Sequence, residues 1–154
     1  MDEPAGFDRI RVGQHVKVRG VSTQDGSVQA VEIKCQEPKP RVVLEGMARF
    51  DPGGREITVM GRSIVLPEGM ALLGADGHSL SPQAVRSPVR VKVVVRGTEA
   101  LGFQVESVQL KETLDFIIEK LRGPVDRIDR EGSTLVVAGV TVRVTPHTTV
   151  ERSE

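Results

Sequence analysis

Apolar residues recur at every second position in short runs along this chain, and glycine, proline and acidic residues break the runs apart. That period is the signature of strands with one buried face. Val42–Phe50 reads as a strand ending in Asp51-Pro52-Gly53-Gly54, a strong turn sequence. Glu56–Met60 alternates Ile57 and Val59 with polar partners, and Ser63–Leu66 runs back. Between them Gly61-Arg62 fits a tight hairpin with glycine first, as a type II′ turn prefers. Val91–Arg96 and Gly102–Lys111 supply a fourth and a fifth strand. Residues 67–90 lack the alternation and read as loop, although Ser81-Pro82 ahead of Gln83-Ala84-Val85 is a helix start that predicts one short turn.

The fifth strand changes parity partway. Phe103 and Val105 share one face, whereas Val108 and Leu110 share the other. A continuous pleat cannot hold both sets in one core, so a β-bulge or bend is expected there. Val28 and Ala30, followed by Val31 and Ile33, do the same earlier in the chain.

That coincidence belongs to an internal repeat. Residues 16–34 align with 93–111 at an offset of 77, placing Arg19 on Arg96 and Lys34 on Lys111. Residues 44–66 align with 121–144 at an offset of 77 to 78, with Ile57, Val59 and Gly61 meeting Leu135, Val137 and Gly139. A fixed period sets the architecture. Five short strands with one brief helix after the third is the element order of an OB-type barrel. The predicted fold is therefore all-β, with two tandem five-stranded OB-like small barrels.

The phase of the repeat divides the second barrel. The unit 42–111 is continuous, whereas the other is assembled from 120–154 plus 1–35 at the two ends of the chain. Residues 36–41 and 112–119 are linkers; the first holds two prolines, and Leu114, Ile117, Ile118 and Leu121 give the second a helical stripe of at most two turns. Neither half of the split unit can bury its apolar face alone, and units of about 70 residues are already marginal in core size. The halves join in cis, giving a closed two-lobed chain, or in trans, giving a strand-swapped dimer or polymer.

Composition narrows the chemistry. Lysine plus arginine equals aspartate plus glutamate, 21 each, so net charge is zero. A nucleic-acid binder ordinarily carries a basic excess to replace counterions. Tryptophan and tyrosine are absent, and four phenylalanines are the only aromatics of the kind that stack on bases or sugars. No apolar stretch approaches the roughly 20 residues of a membrane span. Met1-Asp-Glu-Pro has neither the basic start nor the apolar run of a signal peptide. Cys35 is the sole cysteine, which leaves a small apolar residue ending a strand, or a thiol available to another chain.

No motif points to catalysis. His15, His78 and His147 are far apart in sequence, although His15 and His147 share the split unit. Gly53-Gly54 and Gly61 open no helix as a phosphate-binding loop would. Asp51, Asp129, Glu56 and Glu131 flank hairpin turns. The only polar positions that the repeat preserves are Arg19, Arg96, Lys34 and Lys111, candidates for an anion or partner contact. No catalytic, cofactor or metal residue is assigned.

One further pattern is carried by Gly123-Pro-Val125-Asp-Arg-Ile128-Asp129, Leu135-Val-Val137-Ala-Gly139-Val-Thr-Val142-Arg-Val144, Val12-Gly13-Gln-His-Val16-Lys-Val18-Arg-Gly20 and Val28-Gln-Ala30-Val31-Glu-Ile33. These segments together resemble a bacterial domain-of-unknown-function family, number 5666. The 42–111 unit departs from it, with Ser87-Pro88-Val89 where Val-Gly is expected. The resemblance implies an OB-like barrel, frequent export to the periplasm or outside the cell, and no established activity. The expectation is a non-enzymatic repeat protein, a binding or assembly module of the bacterial envelope that takes a protein partner or self-associates by strand exchange. An OB-type binder of nucleic acid or oligosaccharide is the second reading.

Overall fold

A computed structural model describes residues 7–39, 41–51, 53, 55–68, 70, 72–74, 76–80, 85, 88–98, 102–111 and 118–152. After a 3-10 turn at Phe7–Arg9 the strands are β1 (His15–Ser22), β2 (Val28–Gln36), β3 (Arg41–Phe50), β4 (Glu56–Val59), β5 (Arg62–Val65), β6 (Leu72–Leu73), β7 (Ser79–Leu80), β8 (Val89–Thr98), β9 (Gly102–Lys111), β10 (Glu119–Asp129), β11 (Thr134–Val137), β12 (Val140–Arg143) and β13 (Thr149–Arg152). The fold is all-β, as the alternation predicts. The helical turn expected at 81–85 and the stripe at 112–119 fall almost wholly on residues outside the described ones; where the stripe re-enters, Glu119 is already strand.

All thirteen strands belong to one mixed sheet. The strands from the two chain ends pair in a cycle. β1 pairs β2 and β10, β10 pairs β11, β11 pairs β12, and β12 returns to β2 in parallel at Val142↔Val28. Val16, Val18, Ile33, Leu121, Leu135, Val137 and Val142 fill the inside, none more than 1% exposed. β13 adds to β2 in parallel, setting Arg152 opposite Cys35, which is buried.

The described strands of the 41–111 segment follow this order without a closing pair. β5, β4, β3, β8 and β9 follow one another, and no β5–β9 pairing occurs among the described residues. Among the described residues the pairings complete one cycle, and the second unit shows no closing pair. The units are continuous through β3–β10, where Leu44 pairs with Leu121. Those two residues are aligned with each other in the sequence at an offset of 77. One core cluster spans both units.

Register corrects the alignment elsewhere. The bulges fall at Arg19/Gly20 in β1–β2 and at Val94/Val95 in β8–β9, and leave Val31 and Glu106 as the unmatched residues. Superposing the bulges makes Arg19 equivalent to Val94 and Gly20 to Val95, an offset of 75. A shift of two preserves the buried parity, which is why valine-rich strands align equally well by sequence two residues away. Arg19 and Arg96, and Lys34 and Lys111, are thus not structural equivalents. The change from 77 to 78 has a physical cause: β10 bulges between Val125 and Arg127, and the carboxylate of the extra residue, Asp126, accepts a hydrogen bond from the Ala138 amide at 3.1 Å.

The hairpin turn also differs. Val59 pairs with Arg62, so the turn residues are Met60 and Gly61, with φ of 52° and 73°. Ala138 and Gly139 repeat this at 53° and 79°. Left-handed values at both central positions define type I′, whose twist matches the strands it joins. No helix among the described residues is long and apolar enough to cross a membrane.

Candidate functional site

The seam that stays open is the main asymmetry between the units. In the complete cycle β12 and β2 meet at Val142↔Val28 and Arg143↔Gln29. The equivalent positions, Ile64 and Val65 on β5 against Phe103 and Gln104 on β9, are not paired. A cleft of about 220 Å³ lies there, with Arg62, Ser63, Ile64 and Val65 on one side and Val95 and Val105 on the other. Ile64 is buried, but Val65 is 69% exposed. An unpaired edge with an exposed β-branched residue is a template for another strand.

Hairpin turns brace one end of the seam. A Cβ added at Gly61 would lie 2.2 Å from the Gly26 carbonyl oxygen, and one at Gly139 would lie 2.2 Å from the Arg62 guanidinium. Only glycine allows the first approach, which is to backbone; at Gly139 the guanidinium can swing aside, and it is the φ of 79° that favours glycine. The Gly26 turn is itself fixed by Asp25, whose carboxylate takes hydrogen bonds from Ser27, Thr23 and Arg143. Those bonds hold its pKa well below the usual carboxylate range, Ser27 contributing most.

A buried acid lies at the junction of the units. Glu119 is 2% exposed, opposite Gly20 of β1, and its carboxyl fills the space over Gly46, where a Cβ would come within 1.4 Å of Oε2. Its repeat equivalent is Val42, which packs over Gly123 with Cγ2 3.1 Å from a built Cβ. The repeat places a methyl group at one site and a carboxyl at the other. Oε1 accepts a hydrogen bond from Ser22 Oγ at 3.0 Å, while Oε2 is buried with no partner among the described residues. Burial pushes the Glu119 pKa up, against the lowering influence of Ser22, Arg90 and the Met47 amide. Arg90, also 2% exposed, bonds Glu45 at 2.9 Å. Sequence reading missed this cluster because charged residues in a strand are assigned to the solvent face by default; the signal available was glutamate replacing valine at an internal equivalent.

The four basic candidates do not form one site. Arg96 and Arg41 converge on Glu106, at 2.8 and 2.5 Å. Lys111 pairs with Arg90 at the other end of β9. Arg19 and Lys34 do share one face, the outer face of β1 and β2. Of the histidines, His15 is buried on β1, His78 bonds Asp76 in the β6–β7 turn at 3.1 Å, and His147 lies in the turn before β13. Among the described residues no group of three or more His, Cys, Asp or Glu side chains is placed to hold a metal ion.

These features define an all-β protein whose described strands lie on one mixed sheet. Residues 1–34 and 122–154 match the family described as a domain of unknown function (DUF5666). The two matched segments contribute the strands of the closed cycle. No curated protein and no solved structure matches the chain.

Proposed function

We propose that the protein is a non-enzymatic binding or assembly module, in which an OB-like closed barrel formed from both chain ends supports an open unit that accepts an extended strand. The open β5–β9 seam, beside an equivalent seam that is paired in the same chain, carries this reading. Strand addition draws its affinity from main-chain hydrogen bonds and its selectivity from alternate side-chain pockets. Here the outer edge of β5, and that of β9 ahead of its β6 pairing at Gln109, would provide the first, and the cleft beside Ile64 and Val105 the second. The incoming strand belongs to a second copy or to a protein partner. An envelope location rests on the family resemblance alone.

Hydrogen exchange read strand by strand, together with mass against concentration, tests this. The outward amides of β5 should exchange much faster than those of β12, and association should weaken in Val65→Lys, because a lysine on an edge opposes pairing. Equal protection of β5 and β12 would show the seam already closed and overturn the proposal.

A further inference from the structure

The outer face of β10–β1–β2 concentrates positive charge in a chain that carries none overall. Lys17 lies between Arg122 on β10 and Lys34 on β2, directly opposite both. One step along, Arg19 lies between Lys120 and Glu32. Like charges directly opposite on paired strands are destabilising, and here three lie side by side. The nearby acids compensate weakly. Glu32 and Glu151 approach Lys34 Nζ only to 4.0 and 3.9 Å, and Glu45, opposite Lys120, is engaged by Arg90. The Arg19 Nε is buried with no partner among the described residues. Burial, with Arg122, Lys120, Lys34 and Arg19, pushes the Lys17 pKa down.

The row continues into apolar residues. On β1 the outward positions are Lys17, Arg19 and Val21, the last 43% exposed and opposite Gln29, and the bulged Val31 on β2, across from the Arg19–Gly20 step, is 52% exposed. The face therefore reads cation, cation, apolar at every second residue, about 6.8 Å apart along the strand.

We infer that this face docks the side of a partner protein's β-strand whose alternate residues run acidic, acidic, apolar. An extended strand presents its i, i+2 and i+4 side chains at the same spacing, so two carboxylates align with Lys17 and Arg19 while the third residue covers Val21 and Val31. Arg122, Lys120 and Lys34 broaden the positive field on either side. A discrete small anion would need convergent donors in a concave site, whereas this is an open sheet face. Nucleic acid would need an aromatic platform for its bases, and the outward residues here include none. The inference is independent of the seam, since β1 is paired along both edges.

Three labelled probes at low salt decide it: a peptide repeating Glu-Thr-Glu-Thr-Val, a peptide of identical composition repeating Glu-Glu-Thr-Thr-Val, and an oligothymidylate. The alternating peptide should bind tightest. Lys17→Gln and Arg122→Gln should each weaken it by roughly fivefold, the scale of one exposed ion pair, while Arg96→Gln, whose native partner is Glu106, leaves it unchanged. Circular dichroism of each variant checks folding. Equal affinity for the parity-shifted peptide, preference for the oligothymidylate, no binding by any probe, or loss of binding in Arg96→Gln would overturn the assignment.

Discussion

Glu119 and His15 show how single buried groups set the protein's response to pH, with opposite signs. The Glu119 pKa is raised above 4.5 in the fold, so its contribution is fully present below 4.5 and is lost as pH rises through the folded value. The His15 pKa is lowered from 6.5 by burial and by Lys39. The unfolded chain then binds the His15 proton more readily, and stability falls as pH drops through 6.5 toward the folded value. Glu119→Gln keeps the shape and removes the charge. It should raise stability at pH 7 by about 1–3 kcal/mol, since an amide needs neither to bury a charge nor to take up a proton on folding, with the gain vanishing near pH 4. Urea titrations at both pH values measure this, and an equal gain at pH 4 would assign the effect to packing. His15→Gln should flatten the acid limb below pH 6.5 and leave the alkaline side unchanged.

At the scale of elements, strands and turns were legible in the sequence because their causes are local. Alternation placed β3, β4, β5 and β9 within a residue or two, and the parity break in Val28–Ile33 located the bulge. What escaped was pairing. Valines two positions apart fit the same buried face, so the repeat aligned at 77 where the bulges align at 75. The turn type escaped because Met60 occupies a left-handed conformation that its side chain does not favour. The open seam lay beyond reach, since edge pairing depends on how two distant strands twist toward each other. Glycine contacts make the hairpin end testable. Gly61→Ala combines a positive φ with a Cβ 2.2 Å from a backbone oxygen that cannot swing aside, so it should cost more than the roughly 1 kcal/mol of conformation alone. Gly77→Ala has a similar φ of 87° and open space around it, and isolates the conformational part. Thermal melts giving equal losses for the two variants would mean that the Gly61–Gly26 contact contributes nothing.

For the whole molecule the question is whether the two units unfold together. The sequence suggests an independent 42–111 unit beside a split partner, but β3–β10 pairing and a single core cluster tie them. Breaking the cycle would strip β10 from β1 and expose Leu121, which pairs with Leu44 of the other unit. A domain of this size with a shared core unfolds as one cooperative step. Cys35 provides a clean reporter, being the sole cysteine, buried, and set between β1 and β13. Its reaction with a thiol reagent requires the closed unit to open, whereas amide exchange in β8 and β9 reports on the open one. Both should give the same opening free energy and the same dependence on denaturant. Deleting residues 1–35 should then destabilise β8 and β9 as well as β10–β13. If Cys35 reacts freely while the β8–β9 amides stay protected, the units open separately, and the shared pair at Leu44 and Leu121 is a contact between two domains rather than the centre of one.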